Sequence, residues 1–266
     1  MRTALGRAFV VSIIVLAAAP ASSAMAGTGI TMLPPSSGSS STDPAPVFSG
    51  TTNATTNVVM LVIYPGATAS GTPAQELTFA PLLGEETWTL TPAPLGEGTY
   101  TAIARQAGEL GEPGESAPFT FTVEAAPVIQ TNPLSTTVTA GETATFTAAA
   151  SGTPAPSVQW QVSSDHGATW APDITDAGNT SDTLSVASAT LAQSGNEYRA
   201  LFSNSAGSQE SEPATLTVQT PPAVTLNPQS RTVTAGETAT FAAAASGTPA
   251  PSVQWQVSSD HGATWA

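Results

Sequence analysis

Residues 141–171 read GETATFTAAASGTPAPSVQWQVSSDHGATWA, and residues 236–266 repeat them with one change, Thr147 to Ala242. The two copies start 95 residues apart, a spacing close to the size of a small β-sandwich domain. A repeat this long and faithful predicts a tandem array of domains. Residues 222–266 are then the truncated N-terminal half of a further repeat. The alternative, a genuine terminus whose tail is disordered or paired with a neighbour, stays open at this point.

Polar and apolar residues alternate along the repeated stretch, as they do in a strand with one buried face. A Gly-Thr-Pro-Ala-Pro turn separates its two strands, and three more alternating rows follow before residue 219. The predicted inward-facing residues are Ala144, Phe146 and Ala148; Val158, Trp160 and Val162; Leu184 and Val186; Tyr198, Ala200 and Phe202; Leu216 and Val218. The pattern predicts an all-β sandwich over residues 127–219.

Composition excludes several classes of function. The chain has 266 residues, of which 40% are hydrophobic and only 9% charged, which predicts a globular protein of two or three domains. Its formal net charge is −14, and it contains neither lysine nor a basic patch, so nucleic acid is excluded as a partner. The absence of cysteine excludes disulfides, thiolate metal sites and a cysteine nucleophile.

The N-terminus has the pattern of a secretory leader. Arg2 and Arg7 precede an apolar run of residues 8–19, and Ala24-Met25-Ala26 supplies a small-x-small cleavage site. A membrane anchor is the alternative, but a span needs about 20 apolar residues. We therefore predict a signal peptide over residues 1–26 and an extracellular protein with no membrane span in the mature chain. Residues 27–43, rich in Gly, Ser and Pro, are predicted to be a flexible linker.

Residues 44–124 form a first predicted domain whose sequence differs from the repeat. It carries PVFSGTT (46–52), ETWTLTP (86–92), LGEGTYTAIAR (95–105) and FTFTV (119–123), together with an apolar strand at residues 58–64. The order of these motifs resembles that of a bacterial immunoglobulin-like domain, which implies a sandwich of short strands.

The second domain, residues 127–219, resembles the immunoglobulin I-set domain over its whole length. The resemblance rests on AGETATFTA (140–148), GTPAPSVQW (152–160), SGNEYRALFSNSAG (194–207) and ATLTV (214–218). It implies that Trp160 is the family's buried tryptophan and that Tyr198 forms its tyrosine corner, with the hydroxyl bonded to backbone. Ala148 and Ala200 stand where the family places its disulfide, so we expect modest stability. The implied fold class is all-β, with tandem immunoglobulin-like sandwiches after the signal peptide.

Residues 163–170 fit the pattern S-x-D-x-G-x-T-W, and residues 258–265 repeat it. The pattern is similar to the Asp-box of sialidase propellers, and it predicts a hairpin whose aspartate accepts backbone N–H bonds, whose glycine has positive φ and whose tryptophan packs beneath. Propeller blades repeat about every 40–50 residues, unlike these copies. A sialidase also needs an arginine cluster, whereas residues 127–219 contain only Arg199. We interpret the motif as a structural hairpin.

No catalytic, cofactor-binding or metal-binding residue is predicted. The titratable residues that come nearest to a site pattern are His166 and His261; Asp173, Asp176 and Asp182; Glu85, Glu86, Glu109, Glu112 and Glu115. The histidines occupy hairpin tips and lack the three or four converging ligands of zinc. The aspartates lack the dense loop of a calcium site, and the glutamates lie in Gly- and Pro-rich turns, where a solvated acidic loop is expected.

The sequence therefore predicts a non-enzymatic surface or secreted protein whose modules act as spacers or adhesion units. Its expected partners are other surface proteins or extracellular glycans. A second hypothesis makes the chain an accessory region of a larger secreted polysaccharide-acting enzyme. A third, a carbohydrate-binding sandwich, needs exposed aromatic residues, for which Trp88 is the candidate. Short joints at residues 124–127 and 219–222 favour a semi-rigid arrangement.

Overall fold

The structure is a computed structural model that describes residues 29–53, 57–107 and 113–266. The predicted signal peptide, residues 1–26, lies outside the described residues. Those described form strands, turns and one short 3-10 helix, so the predicted all-β class is confirmed. Within them, no helix is long and apolar enough to cross a membrane.

The first sandwich has one large and one small sheet. Its strands are β1 (Ser40–Ser41), β2 (Phe48–Thr51), β3 (Val59–Pro65), β4 (Gln75–Phe79), β5 (Thr87–Leu90), β6 (Gly98–Gln106), β7 (Gly114–Glu115) and β8 (Phe119–Val123). The large sheet runs β1-β8-β6-β3-β4, with β7 paired to β6, and the small sheet pairs β2 with β5. Phe48, Leu61, Trp88 and Phe121 meet between the sheets, because alternate residues of each strand face inward.

The predicted linker is wrong for residues 29–43. Ile30 is only 6% exposed and belongs to the core of the first sandwich. The amides of Thr31 and Leu33 donate to carbonyls of residues 51 and 49, and β1 pairs in parallel with β8. The pairing at this edge uses backbone N–H and C=O groups, which are present in Ser- and Gly-rich segments as in any other. Ile30 adds an apolar side chain that anchors the segment in the core.

The second sandwich carries the predicted alternation. Its strands are β9 (Ala125–Thr131), β10 (Thr136–Thr139), β11 (Ala144–Thr147), β12 (Ala149–Thr153), β13 (Ser157–Ser163), β14 (Ala171–Pro172), β15 (Thr183–Val186), β16 (Glu197–Asn204), β17 (Gly207–Glu210) and β18 (Ala214–Leu226). The main sheet runs β10-β18-β16-β13-β14, with β17 paired to β16. Two strand pairs, β11–β15 and β12–β9, complete the sandwich, and the 3-10 helix spans Leu191–Gln193.

The centre of the second sandwich is an aromatic cluster. Trp160 is 0% exposed and Tyr198 is 1% exposed, as predicted. Phe146 lies between them, with its ring centroid 4.9 Å from that of Tyr198 and 6.5 Å from that of Trp160. Ala148 and Ala200 are fully buried in the same cluster. The two alanines therefore contribute only methyl groups to a core built around three aromatic rings.

Residues 222–266, here called the tail, follow the second sandwich and do not form a closed sandwich. β18 continues to Leu226, and its distal part pairs antiparallel with β19 (Ala244–Thr248). Phe241 and Trp255 are both 50% exposed, although they repeat Phe146 and Trp160 of the second sandwich. Trp265 is 62% exposed. Residues 222–266 thus carry the repeated sequence without its buried core.

Candidate functional site

One carboxylate holds the hairpin between β13 and β14. Asp165 Oδ1 accepts hydrogen bonds from Thr169 N (2.8 Å) and Ser163 Oγ (2.7 Å), and its Oδ2 accepts from Thr169 Oγ1 (2.6 Å). The backbone N–H of Gly167 donates to Ser163 Oγ at 2.9 Å. His166 and Gly167 have φ of 56° and 80°, the left-handed geometry that such a turn requires. The bonds from Thr169 and Ser163 lower the pKa of Asp165 to about 2.

The repeated hairpin closes in the same way inside the open tail. Asp260 accepts from Thr264 N (2.8 Å), Thr264 Oγ1 (2.6 Å) and Ser258 Oγ (2.8 Å), and its pKa is also lowered to about 2. The surroundings of the two copies differ, since the tail lacks a closed core around it. The geometry is therefore dictated by local sequence, as predicted for a structural hairpin.

A polar patch formed by Gln161, Trp170, Arg199 and Glu210, here called the arginine patch, lies on the outer face of the main sheet. The Arg199 guanidinium carbon sits 4.3 Å from the Trp170 ring centroid. Its Nε donates to Gln161 Oε1 at 2.8 Å, and its Nη2 lies 2.6 Å from Glu210 Oε1. A shallow groove of about 470 Å³, lined by Arg199, Leu201 and residues 208–213, runs beside it. The arginine is thus occupied by partners of its own chain.

Two aspartates meet at the edge of the second core. Asp173 is 2% exposed, and its Oδ1 accepts from the backbone amides of Thr175 (3.0 Å) and Asp176 (3.1 Å). Among the described residues, Asp173 Oδ2 is buried and has no hydrogen-bond partner. Burial, a hydrogen bond with Asp173 and repulsion from Asp173 raise the pKa of Asp176 to about 6. Below about pH 6, Asp176 therefore carries a proton beside the carboxylate of Asp173.

Replacing Asp176 with asparagine should stabilise the second sandwich more at pH 7.5 than at pH 5. The raised pKa means that the fold favours the protonated form, so this stabilisation is complete below the ordinary pKa of 3.8 and is lost as pH rises through about 6. An amide donates without that loss. Urea unfolding across this range measures the difference, with the exposed Asp182→Asn variant as control. An Asp176→Asn effect independent of pH would contradict the raised pKa of Asp176.

The other predicted candidates lie apart. Trp88 is 1% exposed, and its Nε1 donates to the Thr31 carbonyl at 3.1 Å, so its interpretation as a glycan-binding aromatic is wrong. His166 and His261 are exposed at separate hairpin tips. Glu115 pairs with Arg105 at 2.7 Å, whereas residues 109 and 112 lie outside the described residues. Across the part of the chain that is described, no group of three or more His, Cys, Asp or Glu residues could hold a metal.

The segment that contains the buried Trp160 and Tyr198 matches the model of a known family. The family model described as Immunoglobulin I-set domain matches residues 127–218. Residues 127–218 are an immunoglobulin I-set domain. The match agrees with the resemblance seen in the sequence and with the sandwich formed by β9 to β18.

Similar proteins include one bacterial enzyme and one animal protein. Endoglucanase C of Cellulomonas fimi is 44% identical over 158 residues, which are 59% of this chain and 13% of that protein. Roundabout homolog 1 of Mus musculus is 32% identical over 142 residues, 53% of this chain and 8% of that protein. The titin I-band fragment I67-I69 has a TM-score of 0.46 and 20% identity, with 77% of this chain and 70% of that one covered. The chain thus spans a small fraction of the curated relatives.

Each sandwich has a tyrosine near the start of a central strand. In the I-set domain, Tyr198 is buried, and this burial raises the pKa of its hydroxyl to about 12. In the first sandwich, the Tyr100 hydroxyl donates to the Gly96 carbonyl at 3.1 Å, four residues upstream. This corner at Tyr100 was not predicted from the sequence, although a tyrosine near the start of β6 is the signal that could have indicated it.

Proposed function

We propose that the chain is a non-catalytic part of an exported protein, in which immunoglobulin-like modules act as semi-rigid spacers and contact extracellular proteins or glycans. The observation that carries this proposal is the joint between the first sandwich and the I-set domain. Glu124 is the single residue between β8 and β9. Its carboxylate accepts hydrogen bonds from Ser205 Oγ of the I-set domain (2.6 Å) and from Ser40 Oγ of the first sandwich.

Further contacts surround Glu124. The Asn204 side-chain amide donates to the Ala125 carbonyl at 2.7 Å, and Thr153 Oγ1 donates to Glu97 Oε2 at 3.2 Å. At the next joint, β18 crosses residues 219–222 as one uninterrupted strand. A flexible linker would lack such bonds, so the joints support a spacer that transmits orientation from one module to the next.

Replacing Glu124 with alanine should loosen the first joint, because both serine hydroxyls then lose their shared acceptor. Spin labels on Thr78→Cys and Thr145→Cys measure the distance distribution between the modules by double electron–electron resonance, since the chain has no other cysteine. We expect a narrow distribution that broadens in the variant. Glu142→Ala is the control, because Glu142 bonds Thr139 N within the I-set domain. A distribution that is broad from the start would contradict the spacer.

The same joint should respond to acid. Hydrogen bonds from Ser205 and then Ser40 lower the pKa of Glu124. The bonds to the ionised form are complete above its ordinary pKa of 4.5 and are lost as pH falls through the lowered value. The distance distribution is therefore expected to broaden only at strongly acidic pH, which distinguishes this contact from the bond between Asn204 and the Ala125 carbonyl, because that bond contains no titratable group.

A second candidate function is supported by the similarity to Endoglucanase C. Under this proposal, the chain is an accessory region of a secreted polysaccharide-acting enzyme and performs no hydrolysis itself. Reducing-sugar release from carboxymethyl cellulose by the purified chain should equal that of buffer. Hydrolysis above this background that survives repurification would overturn the non-catalytic assignment. Co-sedimentation with insoluble cellulose separates the candidates, since a spacer without glycan contact stays in solution.

A further inference from the structure

The outer face of the main sheet in the I-set domain carries a polar strip that crosses neighbouring strands. Gln161 on β13 lies opposite Arg199 on β16. Trp170 is half-buried, immediately precedes the edge strand β14, and places its ring 4.3 Å from the Arg199 guanidinium carbon. The groove of about 470 Å³ starts beside Arg199 and is lined by the exposed residues 208–210 of β17. An aromatic ring, a guanidinium and a groove therefore follow one another across this face.

The guanidinium at the centre of the strip is fixed but still accessible. Trp170, Gln161 and Glu210 each contact it, as described above for the arginine patch. The Arg199 side chain is 18% exposed and that of Glu210 is 46% exposed. Within the part of the chain that the structure describes, Arg199 Nη1 and Glu210 Oε2 take part in none of these contacts. A donor and an acceptor thus lie side by side in fixed positions, which lowers the entropic cost of binding a ligand.

The chemistry of the strip suits hydroxyl groups. A sugar hydroxyl both donates and accepts, so it matches an arginine N–H beside a carboxylate oxygen. The exposed side chains of Ser208 and Gln209 offer further donors and acceptors. The Trp170 ring adds an apolar surface next to them. A protein partner would require a more apolar centre, whereas the apolar residues that line the groove are Leu201 and Pro213.

The charge of the strip restricts the kind of glycan. Glu210 and Glu212 both line the groove, and the chain has a formal net charge of −14. Arg199 is the single basic residue of residues 127–219, and Glu210 already pairs with it. A glycan that carries carboxylate or sulfate groups would therefore be repelled. The surface favours a neutral glycan.

We propose that the arginine patch and the adjoining groove bind a neutral glycan chain. The inference rests on the proposed function, in which the modules contact extracellular glycans, and it names the surface and the class of ligand. One sugar lies beside Trp170, with its hydroxyls accepting from Arg199 Nη1 and donating to Glu210 Oε2. The following sugars lie in the groove, where Ser208 and Gln209 bond their hydroxyls.

Affinity electrophoresis of the full chain tests this site. Native gels contain hydroxyethyl cellulose, laminarin or galactomannan, which are neutral, or polygalacturonate, which is anionic. We expect a neutral polymer to retard the chain and polygalacturonate to leave its migration unchanged. Trp170→Ala should weaken the retardation about tenfold or more, and so should Ser208→Trp, which fills the groove. Trp265→Ala is the matched control, because Trp265 has the same hairpin motif but no arginine over its ring within the described chain.

The outcomes separate this site from the broader function. Unchanged retardation in Trp170→Ala and Ser208→Trp would overturn the site, while glycan contact elsewhere on the chain would stand. Retardation by none of the three neutral polymers would also overturn it and leave a protein as the partner, without affecting the spacer measured by spin labels. Equal retardation by polygalacturonate would contradict the neutral ligand. Calorimetry checks that the variants keep the I-set transition, and Gln209→Ala, at an exposed position, replaces any variant that does not.

Discussion

Replacing Trp160 with alanine is expected to destabilise the I-set domain by roughly 3–5 kcal/mol. The ring is fully buried against Phe146, and its Nε1 donates to the Ser181 carbonyl at 2.8 Å. Truncation therefore removes apolar contacts, leaves a cavity and deprives the Ser181 carbonyl of its hydrogen-bond donor. Many immunoglobulin domains add a disulfide at the positions of Ala148 and Ala200, which would contribute roughly 4 kcal/mol on a chain-entropy estimate. This domain lacks that contribution and depends more heavily on its aromatic core.

Scanning calorimetry of the full chain measures this loss. For a domain of this size, each 1 kcal/mol shifts the Tm by about 4–8 °C, so the I-set transition should move well below that of the first sandwich. Trp255→Ala is a matched control, because the same residues flank both tryptophans but Trp255 is 50% exposed. We expect that control to leave the I-set transition in place. A loss under about 1 kcal/mol for Trp160→Ala would contradict the central role of the ring.

The parts of the fold that the sequence predicts correctly share a local or periodic origin. The buried positions of Phe146, Trp160 and Tyr198 follow from alternation along single strands, which a sequence displays directly. The hairpin of Asp165 follows from bonds within seven consecutive residues and forms even in the open tail. Such features need no knowledge of which distant segments meet.

The features that the sequence does not predict depend on distant contacts. The raised pKa of Asp176 depends first on burial and then on the neighbouring Asp173, and burial is set by the whole sandwich. The joint at Glu124 needs Ser40 and Ser205, which lie 84 and 81 residues away along the chain. A Ser- and Gly-rich composition likewise conceals the pairing of residues 29–43, because main-chain bonds leave little trace in side-chain identity.

Replacing Gly50 with alanine is expected to destabilise the first sandwich by about 3 kcal/mol or more. A Cβ at this position would lie 1.9 Å from the Thr31 carbonyl oxygen and 2.7 Å from two atoms of the Trp88 indole. The same carbonyl accepts the Trp88 Nε1 hydrogen bond. The added methyl group is therefore expected to push the segment around Thr31 away from β2. It should also displace the buried indole of Trp88.

Hydrogen exchange locates this damage. The Thr31 and Leu33 amides donate to the carbonyls of residues 51 and 49, so they should be protected in the parent chain and exchange rapidly in the variant. Gly96→Ala is the control, because a Cβ there meets only the Tyr100 hydroxyl at an ordinary 3.8 Å. If residues 29–43 were a free tether, their amides would exchange rapidly in both chains and Gly50→Ala would cost little. Protection that disappears only in the Gly50 variant, with a lowered Tm, makes this segment an integral edge of the first sandwich.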